Sequence, residues 1–479
     1  MKKILKSLWN ITQILLKSAL AVFIVFASYT YLNKVFYNED VYTAEDFKQL
    51  PENSMDVIIL GSSHARFSFM PSFFYEDTGM YSFVMGSACQ QMEISYQMLH
   101  EVLKTQSPKL VIMEVMTATP IKYTCLTDNC YITAEYMMTG EEKYNTINYL
   151  PEEKAASYYN DFINYHNQWR TEEDYRKILP SVALKEEDAL ADSNLGYAFN
   201  PTVWPTNFWG ANVYKDCQKT PMSEKDERYL NEILKTCREN GIALYLYKTP
   251  VDGVTEEDYA VLQSVWEWAE ENNIPYFDFL TYGTDVGLFL NLHLDSYHAF
   301  INGSGLITDI LAEEISEMDI KFDHKDNPEL DKLYYRHSEK YTADYLNNEV
   351  NPLIYLKRFA NSTGVVAFIY KAKNSKPLDE VRPLLDQITD GRINYNEDYY
   401  CLLYRGEILQ DGNTPFEYQL NGSAVQLEDS FVSFGNTIYH YDSPLALVYT
   451  NSDFSRGTLH QIEYRGYTWE WGWHYYTKD

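Results

Sequence analysis

Three short motifs contain the residue types that acyl-transfer chemistry requires. Residues 61–64 read GSSH and directly follow an apolar run. Asp295-x-x-His298 has a spacing that can present a carboxylate and an imidazole to one cleft. The imidazole can act as base toward a serine, while the carboxylate fixes its tautomer and stabilises the imidazolium. Gly86 follows a second apolar run, where a glycine permits close approach of a backbone N–H to a substrate oxygen.

Each motif also has an interpretation without catalysis. Ser62 or Ser63 could cap the helix that follows the strand. The Asp-x-x-His segment could be a surface loop with a helix cap, and the glycine could belong to an ordinary turn. The order of the motifs strengthens the catalytic interpretation: serine after the first strand, glycine after the second, and Asp-x-x-His after the last.

The elements that would position these motifs alternate between strands and helices. Apolar runs predict strands over 55–61, 81–86, 109–115, 242–250 and 274–280. Helical periodicity and capping residues predict helices over 89–106, 223–241, 255–273 and 307–318. This alternation predicts an α/β fold with a doubly wound parallel sheet, helices on both faces, and functional residues at the carboxyl ends of the strands.

Over about residues 53–318, the order of motifs resembles the SGNH (GDSL-like) hydrolase superfamily. Gly61-Ser62-Ser63 matches the first block of that family, with serine in place of the usual aspartate. The resemblance implies that Ser63 is the nucleophile, that its N–H and that of Gly86 form the oxyanion hole, and that Asp295 and His298 are its catalytic partners. The branch that it resembles most is membrane-anchored and bacterial, and includes the teichoic-acid D-alanyl-transfer protein and alginate O-acetylation proteins.

One block of the superfamily has no counterpart here. The Gly-x-Asn-Asp that supplies a side-chain oxyanion donor is absent after KLVIMEV, where MTATP follows. The resemblance implies a two-step acyl transfer through an acyl-serine, with no metal site and no organic cofactor. Further residues that could line the cleft are Ser62, His64, His166, Trp169 and Lys248. The last three could instead belong to helix packing and a solvated strand end.

The first 38 residues contain five lysines and no acidic residue, whereas the remainder carries 34 basic and 69 acidic residues, a net charge of −35. Residues 8–33 form a stretch without charge except for Lys17, whose long side chain can reach the lipid headgroups. We therefore expect a transmembrane helix. The lysines at 2, 3 and 6 predict a cytoplasmic N-terminus and an exported body. A cleaved signal peptide, which would give a soluble secreted esterase, is the main alternative.

Composition excludes some function classes. A body this acidic would be repelled by phosphate backbones, which argues against nucleic-acid binding. An apolar fraction of 45% with 16% aromatic residues is sufficient for packed cores.

The six cysteines form no pair of CxxC motifs, so a zinc site is not expected. Cys125 and Cys130 could close a small disulfide loop outside the cell, or remain unpaired.

We expect three regions: a lysine-rich head and anchor over 1–38, an SGNH-like catalytic domain over 39–325 with an insertion at about 117–222, and a smaller β-rich C-terminal domain over 340–479. The charged segment 319–348 is interpreted as a connector. Trp469, Trp471 and Trp473 alternate and would share one face of a strand. That face could bind glycan rings or pack against the catalytic domain.

The sequence therefore predicts a membrane-anchored, extracytoplasmic SGNH-type esterase or O-acyltransferase acting on cell-surface polysaccharide or teichoic acid. The resemblance also implies a membrane-bound O-acyltransferase as partner. The alternative is a catalytically weak glycan-binding or scaffold protein of the cell envelope on the same fold. Neither the acyl group nor the acceptor polymer follows from the sequence.

Overall fold

The structure is a computed structural model, and it describes twelve parts of the chain. These are residues 2–35, 46–120, 138–149, 155, 193–199, 217–251, 254–281, 298–322, 327–348, 352–372, 381–465 and 468–474.

The N-terminal head forms one long helix, α1 (Lys2–Val35). Within it, the 22 residues Trp9–Thr30 are apolar enough and long enough to cross a membrane, and these residues are exposed. An exposed apolar surface of this length is costly in water. The predicted spanning helix is thus confirmed in its length and composition.

A five-stranded parallel sheet forms the centre of the α/β body, in the order β2-β1-β3-β4-β5. All neighbouring pairs run parallel. The predicted doubly wound α/β class is confirmed. The strands are β1 (Val57–Gly61), β2 (Ser82–Gly86), β3 (Leu110–Glu114), β4 (Ala243–Lys248) and β5 (Tyr276–Asp278).

Helices cover both faces of this sheet because its strands are apolar on both sides. Ile58 and Leu60 point into one core, while Val57 and Ile59 point into the other. Helices α4, α6 and α7 pack on the first face, and α2, α3 and α8 contribute to the second. The helices of the body are α2 (Ser63–Ser68), α3 (Pro71–Thr78), α4 (Met92–Val102), α5 (Gly140–Asn148), α6 (Glu224–Glu239), α7 (Glu256–Asn272) and α8 (Ile301–Ser316).

The capping residues read from the sequence begin the helices as expected. The Ser223 side chain accepts from the backbone N–H of Asp226 at the start of α6. At α7, Thr255 and Asp258 form a complete capping box. Of the predicted insertion at 117–222, the structure describes a short 3₁₀ turn (Met116–Ala118), α5, and residues 193–199 beside β2.

The predicted connector contains a 21-residue helix, α9 (Pro328–Asn348). Its Leu330, Tyr334 and Tyr341 side chains are almost fully buried. Their spacing places them on one helical face. The segment therefore forms a helix that packs against the protein, despite its high content of charged residues. The boundary expected at residue 340 falls inside this helix.

The C-terminal part of the chain is rich in strands, as predicted. We call residues 352–474 the C-terminal unit; it contains a six-stranded sheet and a four-stranded sheet, both antiparallel. Its helices are α10 (Pro352–Asn361) and α11 (Arg382–Ile388). Its strands are β6 (Val365–Tyr370), β7 (Tyr399–Tyr404), β8 (Glu407–Gly412), β9 (Phe416–Leu420), β10 (Ser423–Leu427), β11 (Phe431–Phe434), β12 (Thr437–His440), β13 (Leu445–Thr450), β14 (Gly457–Arg465) and β15 (Thr468–His474).

A buried arginine connects the C-terminal unit to the α/β body. Arg358 of α10 is 1% exposed and pairs with Glu76 of α3 at 2.8 Å. It also pairs with Asp77 of α3 and Asp309 of α8. Its guanidinium lies 3.9 Å from the ring centroid of Phe73, close enough for a cation–π interaction. One side chain therefore joins α10 to two helices of the body.

Replacing Arg358 is expected to destabilise the protein strongly. Arg358→Met would leave three buried carboxylates without their cation, a change that costs about 3–5 kcal/mol for a broken buried pair. Chemical denaturation of the full chain in detergent, monitored by circular dichroism, measures the change. The control is Arg392→Met, because Arg392 is half exposed and its pairs with Asp390 and Asp411 are at the surface. A loss no larger than that of the control would contradict this role.

Candidate active site

A tight turn at the end of β1 places two serines at the carboxyl edge of the sheet. Gly61 has φ +147°, a backbone conformation that favours glycine. A Cβ at this position would lie 2.9 Å from both Ala65 Cβ and Glu114 Cβ. Glycine is therefore required by the backbone and by the packing, and the following residues enter α2 directly.

The two serines of this turn have different roles. Ser62 is 1% exposed and caps α2, with its Oγ accepting the backbone N–H of His64 at 3.3 Å. Ser63 is the first residue of α2, and its hydroxyl is directed to another part of the chain. The capping interpretation thus applies to Ser62.

Ser63 Oγ lies 2.9 Å from His298 Nε2. The two residues are 235 positions apart, and α8 begins three residues after His298. The His298 ring packs on Phe67, with centroids 4.6 Å apart. A serine hydroxyl within hydrogen-bond reach of an imidazole nitrogen is the arrangement by which a base activates a nucleophile. The structure brings two of the three predicted catalytic residues together.

The third, Asp295, lies outside the described residues, as do His166 and Trp169 of the predicted cleft. Trp469, Trp471 and Trp473 belong to β15, where the backbone pairs with β14 and the side chains lie outside what the structure describes. The predicted glycan-binding face is therefore placed on a strand, and its role stays a prediction.

Gly86 ends β2 and is the register partner of Gly61. A Cβ at Gly86 would lie 2.9 Å from Arg66 Cγ, 3.0 Å from Gly61 O and 3.2 Å from Ser62 O. The absent side chain allows β2 to approach the serine turn, a contact that the sequence analysis did not anticipate. Its N–H as an oxyanion donor stays a prediction.

A carboxylate beneath the serine turn was not anticipated from the sequence. Glu114 ends β3 and is fully buried. Its carboxylate accepts hydrogen bonds from the backbone N–H of Met116 at 3.1 Å and from the Thr249 hydroxyl at 3.1 Å. An acid that ends an apolar strand, as in VIMEV, is the signal that could have identified it, because a buried charge needs partners.

Lys248 is fully buried and is not open to solvent at the strand end. Its Nζ lies 3.9 Å from Glu114 Oε1 and donates a hydrogen bond to the carbonyl oxygen of Thr249. Burial lowers the pKa of Lys248 and raises that of Glu114, while the attraction between the two charges opposes both shifts.

His64 lies next to the nucleophile, between Glu114 and His298. Its Nδ1 is 3.9 Å from Glu114 Oε2, and its ring centroid is 5.8 Å from that of His298. Burial lowers the pKa of His64 well below its usual range, and Lys248 and His298 lower it further. His64 is therefore an uncharged imidazole at neutral pH.

Cys89 follows β2 in the loop after Gly86 and has a left-handed backbone conformation, with φ +52°. It is disulfide-bonded, whereas Cys217, Cys237 and Cys401 are free. Cys125 and Cys130, whose pairing was one of the alternatives from the sequence, lie outside the described residues. The alternatives considered from the sequence did not include a disulfide at this loop.

No group of three or more His, Cys, Asp or Glu residues within the described ranges is arranged to hold a metal ion.

A cleft of about 710 Å³ lies along α7 and β5, with Tyr259, Trp266 and Phe277 among its lining residues. Ser63 and His298 are not among the residues that line it. The serine–histidine pair is thus a separate site at the carboxyl edge.

Comparisons with known proteins give little support to any family. No family model matches the chain, and no curated protein matches it. Among solved structures, it is similar to a Bacteroides fragilis NCTC 9343 protein proposed to be an acylhydrolase, with 11% identity. That likeness covers 57% of this chain and 94% of the other, and its TM-score of 0.29 is too low to carry an argument about fold or function.

Gly86→Ala is expected to displace the serine turn, since the new Cβ would contact Arg66 Cγ and the Gly61 carbonyl oxygen. Small displacements of reacting groups can cost about 100-fold in rate, so we expect at least a tenfold slower release of p-nitrophenol from p-nitrophenyl acetate. Gly412→Ala is the control, because a Cβ there meets nothing within 4 Å. An unchanged rate in Gly86→Ala would show that this contact is dispensable.

Proposed function

We propose that the protein is a membrane-anchored, extracytoplasmic serine esterase or O-acyltransferase that works through an acyl-serine intermediate. The observation that carries this proposal is the 2.9 Å hydrogen bond between Ser63 Oγ and His298 Nε2. A buried turn that requires glycine holds the serine, and an adjacent helix start holds the histidine, so both groups are positioned before any substrate binds.

In the first step, His298 Nε2 takes the proton of Ser63 Oγ as the oxygen attacks the ester carbonyl carbon. The tetrahedral intermediate collapses when the C–O bond to the leaving group breaks, and His298 returns the proton to that oxygen. In the second step, water or an acceptor hydroxyl gives its proton to His298 and attacks the acyl carbonyl carbon. The bond from that carbon to Ser63 Oγ then breaks, and His298 returns the proton to Ser63 Oγ, which releases the free acid or the new ester and regenerates the enzyme.

The oxyanion would be held by the backbone N–H groups of Ser63 and Gly86. A backbone N–H in the first turn of a helix has no partner within the helix, so the Ser63 N–H is available for this role. The side chain that β3 brings to the serine turn is Glu114 rather than an asparagine. An ionised carboxylate cannot donate to an oxyanion, so we assign no third donor to β3.

Asp295 is proposed to orient His298 and to stabilise its protonated form. The three-residue spacing of Asp295 and His298 is compatible with a carboxylate that acts on this imidazole. This assignment rests on the sequence motif and on the position of His298 beside Ser63.

The exposed apolar helix α1 and the lysines before it support a single-pass anchor in the cell membrane with a cytoplasmic N-terminus. The disulfide at Cys89 supports an oxidising, extracytoplasmic location for the body.

A membrane-bound O-acyltransferase that delivers acyl groups across the membrane would be a suitable partner. The net charge of −35 on the body favours an uncharged cell-surface polysaccharide over a phosphate-bearing teichoic acid as acceptor.

Ser63→Ala is expected to abolish turnover of p-nitrophenyl acetate and the acetyl adduct on the protein, since it removes the only atom that forms the proposed covalent bond. Intact-mass measurement after rapid quenching detects the adduct. Ser62→Ala is the matched control in the same turn: it removes a helix cap, which costs about 1 kcal/mol of stability, yet leaves Ser63 in place. Full activity of Ser63→Ala would refute the proposal.

The proposed location predicts that the Cys89 disulfide is present in protein isolated from membranes. Peptide mapping without reduction, after alkylation of free thiols, should recover Cys89 in a cross-linked peptide and Cys217, Cys237 and Cys401 alkylated after denaturation. Reduced Cys89 in freshly isolated protein would argue against an exported body.

The second candidate is a glycan-binding or scaffold protein of the cell envelope. It is favoured by the cleft along α7 and β5, where Trp266 is 51% exposed and lies beside Tyr259 and Phe277. Aromatic faces of this kind suit sugar rings. Glycan binding without any acyl adduct on Ser63 would support this candidate over the enzyme.

A further inference from the structure

Beneath the serine turn lies a buried charge cluster to which the proposed mechanism assigns no role. Glu114 stands at its centre, with one carboxylate oxygen 3.9 Å from Lys248 Nζ and the other 3.9 Å from His64 Nδ1. Glu114 and Lys248 are both fully buried, and the His64 side chain is 10% exposed. Burying charges at this depth is costly, so the arrangement calls for a functional explanation.

The hydrogen bonds of Glu114 are supplied by groups other than His64. Its Oε1 accepts from the Thr249 hydroxyl and backbone N–H, and its Oε2 accepts from the Met116 N–H. At 3.9 Å, the His64 Nδ1 is beyond hydrogen-bond distance, and this buried atom has no hydrogen-bond partner within the described part of the chain. The Glu114 carboxylate therefore has its hydrogen bonds without a contribution from His64, and it does not require the doubly protonated imidazolium form of His64.

Lys248 supplies the positive charge that the carboxylate needs. Its Nζ lies 3.9 Å from Glu114 Oε1, and Asp278 at the end of β5 and Asp258 of α7 attract Lys248 less strongly than Glu114 does. In water the pKa values of lysine and glutamate differ by about six units, and the three hydrogen bonds to Glu114 favour its ionised form. Burial disfavours both charges, whereas these hydrogen bonds and the attraction between Lys248 and Glu114 favour the ionised pair.

We propose that Lys248 and Glu114 are positioning residues, and that this buried ion pair keeps His64 in place as an uncharged imidazole beside the catalytic histidine. The inference rests on the proposed acyl transfer and deepens it. An imidazolium at His64, with its centroid 5.8 Å from that of His298, would oppose the proton uptake that His298 must perform. Because the ammonium of Lys248 balances the negative charge of Glu114, His64 does not need to be protonated. His298 is then the group that takes up the proton of Ser63.

Lys248→Met tests this directly, because it removes the ammonium and keeps an apolar chain of similar length. Glu114 then lacks its cation, and His64, whose Nδ1 lies 3.9 Å from Glu114 Oε2, can replace it by taking up a proton. We expect the His64 imidazole to become protonated near neutral pH, and the acid limb of kcat/KM for p-nitrophenyl acetate to move up by about one pH unit. Both are measured on the full chain in detergent.

Two further variants separate this electrostatic role from simple packing. In Glu114→Gln, the carboxylate that would attract a proton to His64 is gone, so the acid limb should not move up. In the double variant Glu114→Gln/Lys248→Met, both charges are absent and the limb should return to that of the wild type. Lys219→Met is the control, because it breaks an exposed ion pair with Glu267 on α7.

The protonation of His64 is read independently of turnover by NMR of histidine labelled with ¹³C at Cε1, with His64→Gln to assign the signal. A His64 signal that stays neutral in folded Lys248→Met, together with an unmoved acid limb, would overturn the inference. If Lys248→Met does not fold, an upward shift in Glu114→Gln or an altered limb in the double variant would overturn it. Absence of any esterase activity in the wild type would reject the proposed function, while the NMR signal would still test the charge cluster.

Discussion

The ion pairs of Arg358 hold together the parts of the molecule on which the site depends. Arg358 lies in α10, yet its partners are Glu76 and Asp77 on α3 and Asp309 on α8. Helix α3 begins three residues after the helix of Ser63, and α8 begins three residues after His298. A single buried cation therefore connects the two helices that follow the two reacting groups. The C-terminal unit also shares an apolar core with this region.

The carboxyl edge of the parallel sheet determines where the chemistry is possible. The ends of β1, β2, β3 and β4 supply the serine turn, Gly86, Glu114 and Lys248 in turn. Because these strands are buried on both faces, polar side chains can collect only where the strands end. The glycine positions, which leave no space for a Cβ, bring β2 and the serine turn together. Packing and chemistry therefore meet at the same few residues.

Much of this arrangement could be predicted from the sequence. The strands and capped helices of the body were predicted because apolar runs and capping residues are local signals. Ser63 and His298 were found through two short motifs, although they are 235 residues apart. Glu114 and Arg358 were not found, because an acid in a strand or an arginine in a helix acquires its meaning from partners that only the tertiary structure supplies. The helix in segment 319–348 was not predicted, because the charges of the segment concealed a helical stripe of buried tyrosines and leucines.

The central claim is that Ser63 is a nucleophile activated by His298. It is tested most directly by treating the full-length protein with a fluorophosphonate and locating the adduct by peptide mass spectrometry. The account predicts an adduct on Ser63 that forms much more slowly in His298→Asn, because the hydrogen bond that activates the serine is lost. No adduct on Ser63, or an adduct that forms equally fast in the His298 variant, would contradict the account.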